Sequence, residues 1–257
     1  MLEKAHTRGS DALIVDFEDA VVQSEKPRAR EIFSKWLETC DIEQEIWVRI
    51  NADDIETDLL VADHKKVTGL VIPKATLAGM NFVSNNINHV SQLSALIEGS
   101  DSLLSAQEIA KVSKTTFLQI GQLDLRAELG LGIDEDSPTL DHALSLLVLA
   151  SAAAGINQPI APIYRDFNDE AGLRASCKIF KSRGFFGRTC VHPRQIGAIN
   201  EEFSTSQEEL SNAQSILASL APSSGVGVDE NGMMIDEAAA KIARRIIDRN
   251  TINGRNC

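Results

Sequence analysis

Short apolar segments alternate with longer segments of helical periodicity along most of this chain. Seven of the apolar segments have the length and the flanking turn residues of buried strands. The predicted strands are Ala12–Phe17, Ile46–Ile50, Gly69–Pro73, Gln92–Ile97, Thr116–Gly121, Pro159–Tyr164 and Thr189–His192. Because both faces of these strands are apolar, the pattern predicts a parallel sheet that is covered by helices.

A segment with helical periodicity follows each predicted strand. The predicted helices are Lys26–Thr39, Asp54–His64, Leu77–Asn88, Ser105–Lys114, Asp141–Ala154, Asp169–Arg183 and Pro193–Glu202. Strand–helix units repeated at this spacing predict an α/β fold, the (β/α)8 TIM barrel, whose functional residues lie at the carboxyl ends of the strands. A doubly wound open sheet is the alternative fold.

The barrel predicted here lacks its first strand, because the repeat contains seven strands where a closed barrel has eight. Residues 1–10 are typical of a helix that ends at Gly9, and in a barrel a helix follows a strand. Three explanations remain open at this stage. The barrel is open, another segment fills the gap, or the true start of the protein lies upstream.

The last fifty residues lie outside the strand–helix repeat. We therefore predict a barrel domain over residues 1–204 and a C-terminal extension over residues 205–257. The extension contains a helix, Gln207–Leu220, with a Ser206–Glu209 capping box. After a linker at Pro222–Gly225, Asn231-Gly232 predicts a hairpin between residues 226–228 and 233–235. A last helix spans Glu237–Arg249, and the whole extension is a candidate lid or subunit contact.

Composition excludes some classes of function. The chain has 257 residues and a formal net charge of −12, which disfavours non-specific binding to nucleic acid. No apolar run reaches the ~18 residues that cross a membrane, and no secretory leader is visible. None of the four cysteines forms a C-x-x-C pair, so we expect reduced thiols and a cytoplasmic protein.

Polar residues are concentrated where the predicted strands end. They are Asp16, Glu18, Asp19, Arg49, Asn51, Lys74, Glu98, Asp124, His192 and Arg194. Any one of them is equally explained as a helix cap or an ion-pair partner. Because parallel strands end at one rim of the barrel, however, their convergence indicates a functional site.

Glu98 and Asp124 follow neighbouring apolar strands. Mg²⁺ takes one or two protein carboxylates and fills its octahedron with water and substrate oxygens, so this pair predicts a Mg²⁺ site. The alternative for Asp124 is a favourable interaction with the dipole of the helix that follows it. That alternative explains Glu98 less well.

Three basic residues at the rim have alternative roles. Arg49 is a candidate fork for a substrate carboxylate or phosphate, or the partner of Asp16 or Glu18 in a buried ion pair. Lys74 is a weaker candidate for a Schiff-base lysine, because nothing beside it predicts a lowered pKa. His192 is better explained as a structural residue than as a general base.

Ordered motifs over almost the whole chain resemble the HpcH/HpaI aldolase and citrate lyase β-subunit family, in its CitE-like branch. The motifs are GSDALIVDFEDAV and EKPRAR (within 9–30), VRIN (48–51), GLVIPK (69–74), LIE (96–98), IGQLDL (120–125), IYRDFNDEAGLRA (163–175), GFFGRTCVHPRQIGAINEEF (184–203) and GVGVDENGMMID (225–236). Each motif alone is weak, but their shared order makes the match specific.

The resemblance implies a TIM barrel that assembles as a homotrimer or a multiple of it. It implies that Glu98 and Asp124 hold Mg²⁺ and that Arg49 binds the substrate carboxylate. Glu18 and Asp19 would hold metal-bound waters or Arg49. Asp236 matches an acid–base aspartate that is delivered over a neighbouring subunit's site. From the residues alone, Asp236 is equally the N-cap of the last helix.

The resemblance also implies a reaction. Members cleave a 3-hydroxy-acyl thioester, such as malyl-CoA, citramalyl-CoA or a citryl thioester on CoA or an acyl carrier, to a 2-oxo acid and an acetyl-type thioester. This chain departs from the family pattern, because it has Gly99 in place of a threonine, has Leu123 in place of a glutamate and lacks the arginine loop of the first strand. A thioester hydrolase or a degenerate non-catalytic paralogue is therefore the alternative function.

Overall fold

Seven parallel strands form one sheet in which each strand pairs with the next strand along the chain. They are β1 Ala12–Asp16, β2 Glu45–Arg49, β3 Gly69–Ile72, β4 Gln92–Ile97, β5 Thr115–Ile120, β6 Ile160–Ala161 and β7 Gly187–Arg188. A doubly wound sheet reverses its order near the middle, whereas this order runs from β1 to β7 without a switch. The sheet therefore curls as an α/β half-barrel, as the strand–helix repeat predicted.

The computed structural model describes residues 2–133, 136–219, 227–228, 232 and 234–253. They fall into two compact units, Met1–Glu202 and Phe203–Cys257. In the described part of the chain, no strand pairs with the outer edge of β1 or β7. Asn200 Nδ2 donates to the carbonyl of Gly9 at 2.9 Å and so joins the segment before β1 to the helix after β7.

Helices follow the strands at the carboxyl ends. They are α1 Lys26–Thr39, α2 Ile55–Ala62, α3 Leu77–Asn86, α4 Ser100–Leu104, α5 Ala106–Ala110, α6 Gln122–Glu128, α7 Pro138–Ala154, α8 Glu170–Ser182 and α9 Ile196–Phe203. Short 3₁₀ helices cover Leu2–Arg8, Gln23–Glu25 and Pro193–Gln195. The predicted helix Ser105–Lys114 covers α5 and omits α4. The predicted start of α7 is three residues late, because Ser137 and Pro138 were not used as its start.

The last strand was predicted at the wrong place. It spans Gly187–Arg188 and not Thr189–His192, although the apolar Cys-Val pair lies in the later segment. Ile160 pairs with Gly187 and Ala161 with Arg188. The next residue on β6 is Pro162, which has no N–H to donate, so the ladder ends there.

Alternate residues of the strands line the two faces of the sheet. On the inner face, Trp47, Val71 and Leu96 form a buried cluster, against which Ala12 and Phe117 also pack. The intervening residues are almost completely buried on the helical face; they include Leu70, Ile72, Leu93, Ala95, Ile97 and Leu118. This buried apolar cluster lies below the carboxyl ends of β2 to β5.

The second unit contains two helices and a short hairpin. Its elements are α10 Gln207–Ser219, the antiparallel strands β8 Gly227–Val228 and β9 Met234–Ile235, and α11 Glu237–Asn253. Ser206 and Glu209 form the predicted capping box, with bonds of 2.7 and 3.1 Å. The predicted linker and residues 229–231 of the hairpin turn lie outside the described residues. Among those that are described, no helix is both long and apolar enough to cross a membrane.

Gly69 fits under the indole ring of Trp47, because a Cβ at residue 69 would lie 2.3 Å from a ring carbon. We expect Gly69→Ala to lower the free energy of unfolding by about 1–3 kcal/mol, since the ring must move within a packed interior. Gly197→Ala in α9 is the control, because nothing lies within 4 Å of its Cβ position. Guanidinium unfolding measures both, and equal stability of the two variants would contradict the packing account.

Candidate active site

Charged side chains converge at the carboxyl ends of β1 to β5. Ion pairs or hydrogen bonds connect Asp16, Glu18, Asp19, Arg49, Lys74 and Glu98. Glu18 and Glu98 are both only 6% exposed. A buried carboxylate is costly unless charges or hydrogen bonds compensate for it, so this cluster is a constrained electrostatic unit.

Arg49, the last residue of β2, is surrounded by acids. Its Nε and Nη2 bind the two oxygens of Asp16 at 2.8 and 2.5 Å, in a bidentate pair. Its Nη1 lies 3.2 Å from both Glu18 Oε2 and Asp19 Oδ2. Arg49 therefore pairs with both partners proposed from the sequence, Asp16 and Glu18. Asp16 binds the edge of the guanidinium that carries Nε and Nη2.

The pKa of Asp16 reflects this pairing. Burial raises it, but the hydrogen bond and the charge of Arg49 outweigh burial and lower the pKa of Asp16 below its ordinary value. Main-chain N–H groups of Glu18 and Ala20 also donate to the carboxylate, at 2.8 and 3.1 Å. Asp16 thus stays ionised and holds Arg49 in one orientation.

Lys74 follows β3 and pairs with Glu18. Its Nζ lies 2.6 Å from Glu18 Oε1, and this bond raises the pKa of Lys74. A Schiff-base lysine requires a neutral amine and hence a lowered pKa. The structure therefore argues against the Schiff-base alternative and assigns Lys74 to the ion-pair network.

Glu98 follows β4 and lies between two main-chain segments. Its Oε2 accepts a hydrogen bond from the N–H of Lys74 at 2.8 Å. On the other side, a Cβ at Gly121 would lie 2.6 Å from Glu98 Oε1, so a side chain at residue 121 would displace this carboxylate. Burial, followed by the negative charges of Glu18 and Asp124, raises the pKa of Glu98 to about 7.

Asp124 lies in the first turn of α6, whereas the sequence placed it before a helix. It is exposed, and its charge is close enough to Glu98 to raise that residue's pKa. A helix N-terminus also stabilises a carboxylate, so the dipole interaction considered from the sequence applies to Asp124 as well. The structure brings the two predicted metal ligands to the same rim.

These two carboxylates fit a Mg²⁺ ion. Across the described residues, no group of three or more His, Cys, Asp or Glu side chains is arranged to hold a metal. Mg²⁺ does not require such a group, because one or two carboxylates complemented by water and substrate oxygens satisfy it. Burial and the charges of Glu18 and Asp124 raise the pKa of Glu98, and a bound cation would act in the opposite direction.

Glu128 makes a contact with the start of α4 that sequence reasoning missed. Its Oε1 accepts a 3.1 Å hydrogen bond from the N–H of Ser100 and a further bond from the Ser100 hydroxyl. A Cβ at Gly99 would lie 2.8 Å from Glu128 Oε2. The departure from the family pattern at Gly99 therefore makes room for Glu128, which is one helical turn beyond Asp124.

Two further predicted residues lie elsewhere. His192 caps a 3₁₀ helix, since its Nδ1 accepts from the N–H of Arg194 at 3.2 Å, and its ring stacks on Phe167. This agrees with a structural role. Asp236 belongs to the second unit, where its Oδ1 accepts from the N–H of Ala239 at 2.9 Å and caps α11.

Fold and site together define a (β/α)-barrel protein with an acidic site at the carboxyl ends of its strands. The family model for HpcH/HpaI aldolase/citrate lyase matches residues 1–193, and the chain belongs to this family. The chain is 37% identical to a (3S)-malyl-CoA thioesterase of Cereibacter sphaeroides over 222 residues, which cover 84% of this chain and 77% of that protein.

Other relatives have different names. The citrate lyase subunit beta of Leuconostoc mesenteroides is 27% identical over 266 residues, with 96% of this chain and 88% of that protein covered. Among solved structures, CitE of Mycobacterium tuberculosis in complex with magnesium, acetoacetate and coenzyme A superimposes with a TM-score of 0.78. The two chains are 27% identical, and the match covers 97% of this chain and 94% of that one.

The pKa of Glu98 predicts how cation binding depends on pH. A carboxylate ligand must lose its proton, so apparent Mg²⁺ affinity should rise roughly tenfold per pH unit below pH 7 and level off above it. Titration calorimetry between pH 5.5 and 8.5 measures this. Glu98→Gln should bind weakly and lose the pH dependence near 7; a dependence that persists in this variant would assign it to another group.

Proposed function

We propose that this protein is a Mg²⁺-dependent carbon–carbon lyase that acts on a 3-hydroxy-acyl thioester of the malyl-CoA type. The observation that carries the proposal is the position of Glu98 and Asp124 at one rim of the barrel, beside the network of Arg49. The names of the relatives support a CoA thioester as substrate, and the magnesium complexes of CitE support the choice of cation.

In this proposal Glu98 and Asp124 hold Mg²⁺. When bound there, the ion would supply Lewis-acid polarisation at the hydroxy-acid end of the substrate. Glu98 is oriented in advance by the N–H of Lys74. A preorganised carboxylate lowers the entropic cost of forming the site.

Arg49 would bind the substrate carboxylate through Nη1. Its other nitrogens are committed to Asp16, so a substrate carboxylate would compete with Glu18 and Asp19 for this nitrogen. Asp19 is the more exposed of the two, at 68%, and is therefore the easier one to displace. The arrangement leaves one nitrogen of Arg49 for the single carboxylate of a malyl-CoA-type substrate.

The proposed lyase reaction is a cleavage of the C2–C3 bond of the acyl group. A base takes the proton of the 3-hydroxyl group, the C2–C3 bond breaks, and its electron pair remains on the acetyl thioester as an enolate. The hydroxyl-bearing carbon becomes the carbonyl of the 2-oxo acid. Asp236 of a neighbouring subunit in the expected homotrimer would enter this step as the carboxylic acid and donate its proton to the enolate carbon, which gives acetyl-CoA. The proton that the base took from the hydroxyl group would then restore the acid.

Thioester hydrolysis is the second candidate function. The observation that favours it is that four similar relatives, 35–37% identical to this chain, are named (3S)-malyl-CoA thioesterases. In that reaction water adds to the thioester carbonyl, the C–S bond breaks, and the CoA thiol leaves with a proton. The acid end of the substrate would be held in the same way.

Product analysis with malyl-CoA and Mg²⁺ separates the two functions. We expect glyoxylate and acetyl-CoA from a lyase, but malate and free CoA thiol from a hydrolase.

Glu98→Gln and Asp124→Asn should each lower turnover on the order of 100-fold or more, because each removes a cation ligand. Glu108→Gln, on the exposed face of α5, is the control. Full turnover in both ligand variants would contradict the lyase and the hydrolase assignments alike. Absence of turnover with every thioester tested would identify a non-catalytic paralogue.

The role of Asp236 can be separated from its role as a helix cap. Asn and Ser are both good N-caps, so Asp236→Asn and Asp236→Ser should keep thermal stability within a few degrees. If the carboxyl group transfers a proton, both variants lose on the order of 100-fold in kcat. Unchanged kcat in these folded variants would show that Asp236 acts only as the N-cap of α11.

Light scattering of the same samples tests the expected homotrimer.

A further inference from the structure

Lys74 adopts a backbone conformation that is rare for a residue with a side chain. Its φ is +45°, in the left-handed region, where the Cβ atom is crowded. Among the described non-glycine residues, only Lys114 shares a positive φ, at +68°. Strained backbone of this kind persists where the surrounding contacts determine it, and it is concentrated at functional sites.

The left-handed turn directs two successive N–H groups of this segment toward β4. The N–H of Lys74 donates to Glu98 Oε2 at 2.8 Å, and the N–H of Ala75 donates to the carbonyl of Leu96 at 3.1 Å. The second bond continues the contact between β3 and β4 beyond the end of the strand pairing. The first bond fixes one oxygen of the Glu98 carboxylate.

The side chain of Lys74 is directed to a different acid. Its Nζ binds Glu18 Oε1 at 2.6 Å, and the side chain is 56% exposed. The ammonium group therefore acts on Glu98 only through charge, whereas the main chain makes the direct bond. A Cβ at Gly121 would lie 2.6 Å from Oε1 of the same carboxylate, so this oxygen occupies the space left by the missing side chain of residue 121.

We propose that Lys74 is a positioning residue of the cation site, and that its left-handed main chain, not its ammonium group, orients Glu98. This inference rests on the proposed Mg²⁺ site. It assigns to residue 74 a steric requirement that lysine meets with strain, glycine meets without strain and a β-branched residue does not meet.

Three variants test the proposal in the full chain, with Mn²⁺ as the probe and electron paramagnetic resonance of free Mn²⁺ as the readout. Lys74→Gly keeps the N–H and the turn, and Lys74→Met removes only the charge, so both should bind Mn²⁺ within threefold of wild type or more tightly. Lys74→Val should bind at least tenfold more weakly, because its branched Cβ displaces the turn. Lys114→Val is the matched control and should leave the affinity unchanged.

The outcomes are distinguishable. Equal affinity of the wild type and a folded Lys74→Val variant overturns the inference and leaves the proposed function intact. A Lys74→Met variant as weak as Lys74→Val also overturns it, because the ammonium group would then carry the effect. A wild-type protein that binds no Mn²⁺ contradicts both the inference and the proposed function.

A second measurement does not depend on the folding of Lys74→Val. Hydrogen exchange at the amide of residue 74 should be slow in the wild type and at least tenfold faster in Glu98→Ala, while the amide of Ala75 stays protected. Equal exchange rates at residue 74 in the two proteins would show that Glu98 and this amide are not bonded, and would overturn the inference.

Discussion

The rest of the site depends on the ion pairs that the buried carboxylate of Glu18 makes with Arg49 and Lys74. Glu18 is 6% exposed, and its two carboxylate oxygens are divided between Lys74, at 2.6 Å, and Arg49, at 3.2 Å. Loss of the guanidinium of Arg49, whose side chain is 19% exposed, would leave this buried charge half compensated, at a cost of several kcal/mol. The side chain of Lys74 is 56% exposed, so water can take the place of its ammonium group. Because Arg49 also binds Asp16 and Lys74 also binds Glu98 through its main chain, strands β1 to β4 are connected at this one residue.

Much of the barrel could be predicted because buried parallel strands are apolar on both faces, and six of the seven strands lie where those runs occur. The exceptions are physically informative. β7 is a two-residue edge strand whose extent is set by Pro162 on its neighbour and not by its own hydrophobicity. α4 is only five residues long, too short to show helical periodicity, so the prediction omitted it.

The candidate site could be predicted at the level of residue type and strand end. Glu98, Asp124 and Arg49 were all identified from their positions after apolar runs, and the resemblance supplied their roles, which stay predictions. The positive φ of Lys74 and the partner of Glu128 were not identified. The first depends on how the end of β3 meets β4, and the second depends on the absence of a side chain at Gly99, so neither is encoded in a local pattern.

The packing of Trp47 on Gly69 has a consequence for how this barrel can diverge. The indole ring occupies the space where any side chain at residue 69 would begin, two residues below Arg49 on the same face of β2. Evolution can therefore enlarge residue 69 only after residue 47 becomes smaller, and the two positions should covary across related chains as large–small or small–large pairs. A shift between these states would change the depth of the apolar cluster beneath the charged rim, while the rim kept its residues.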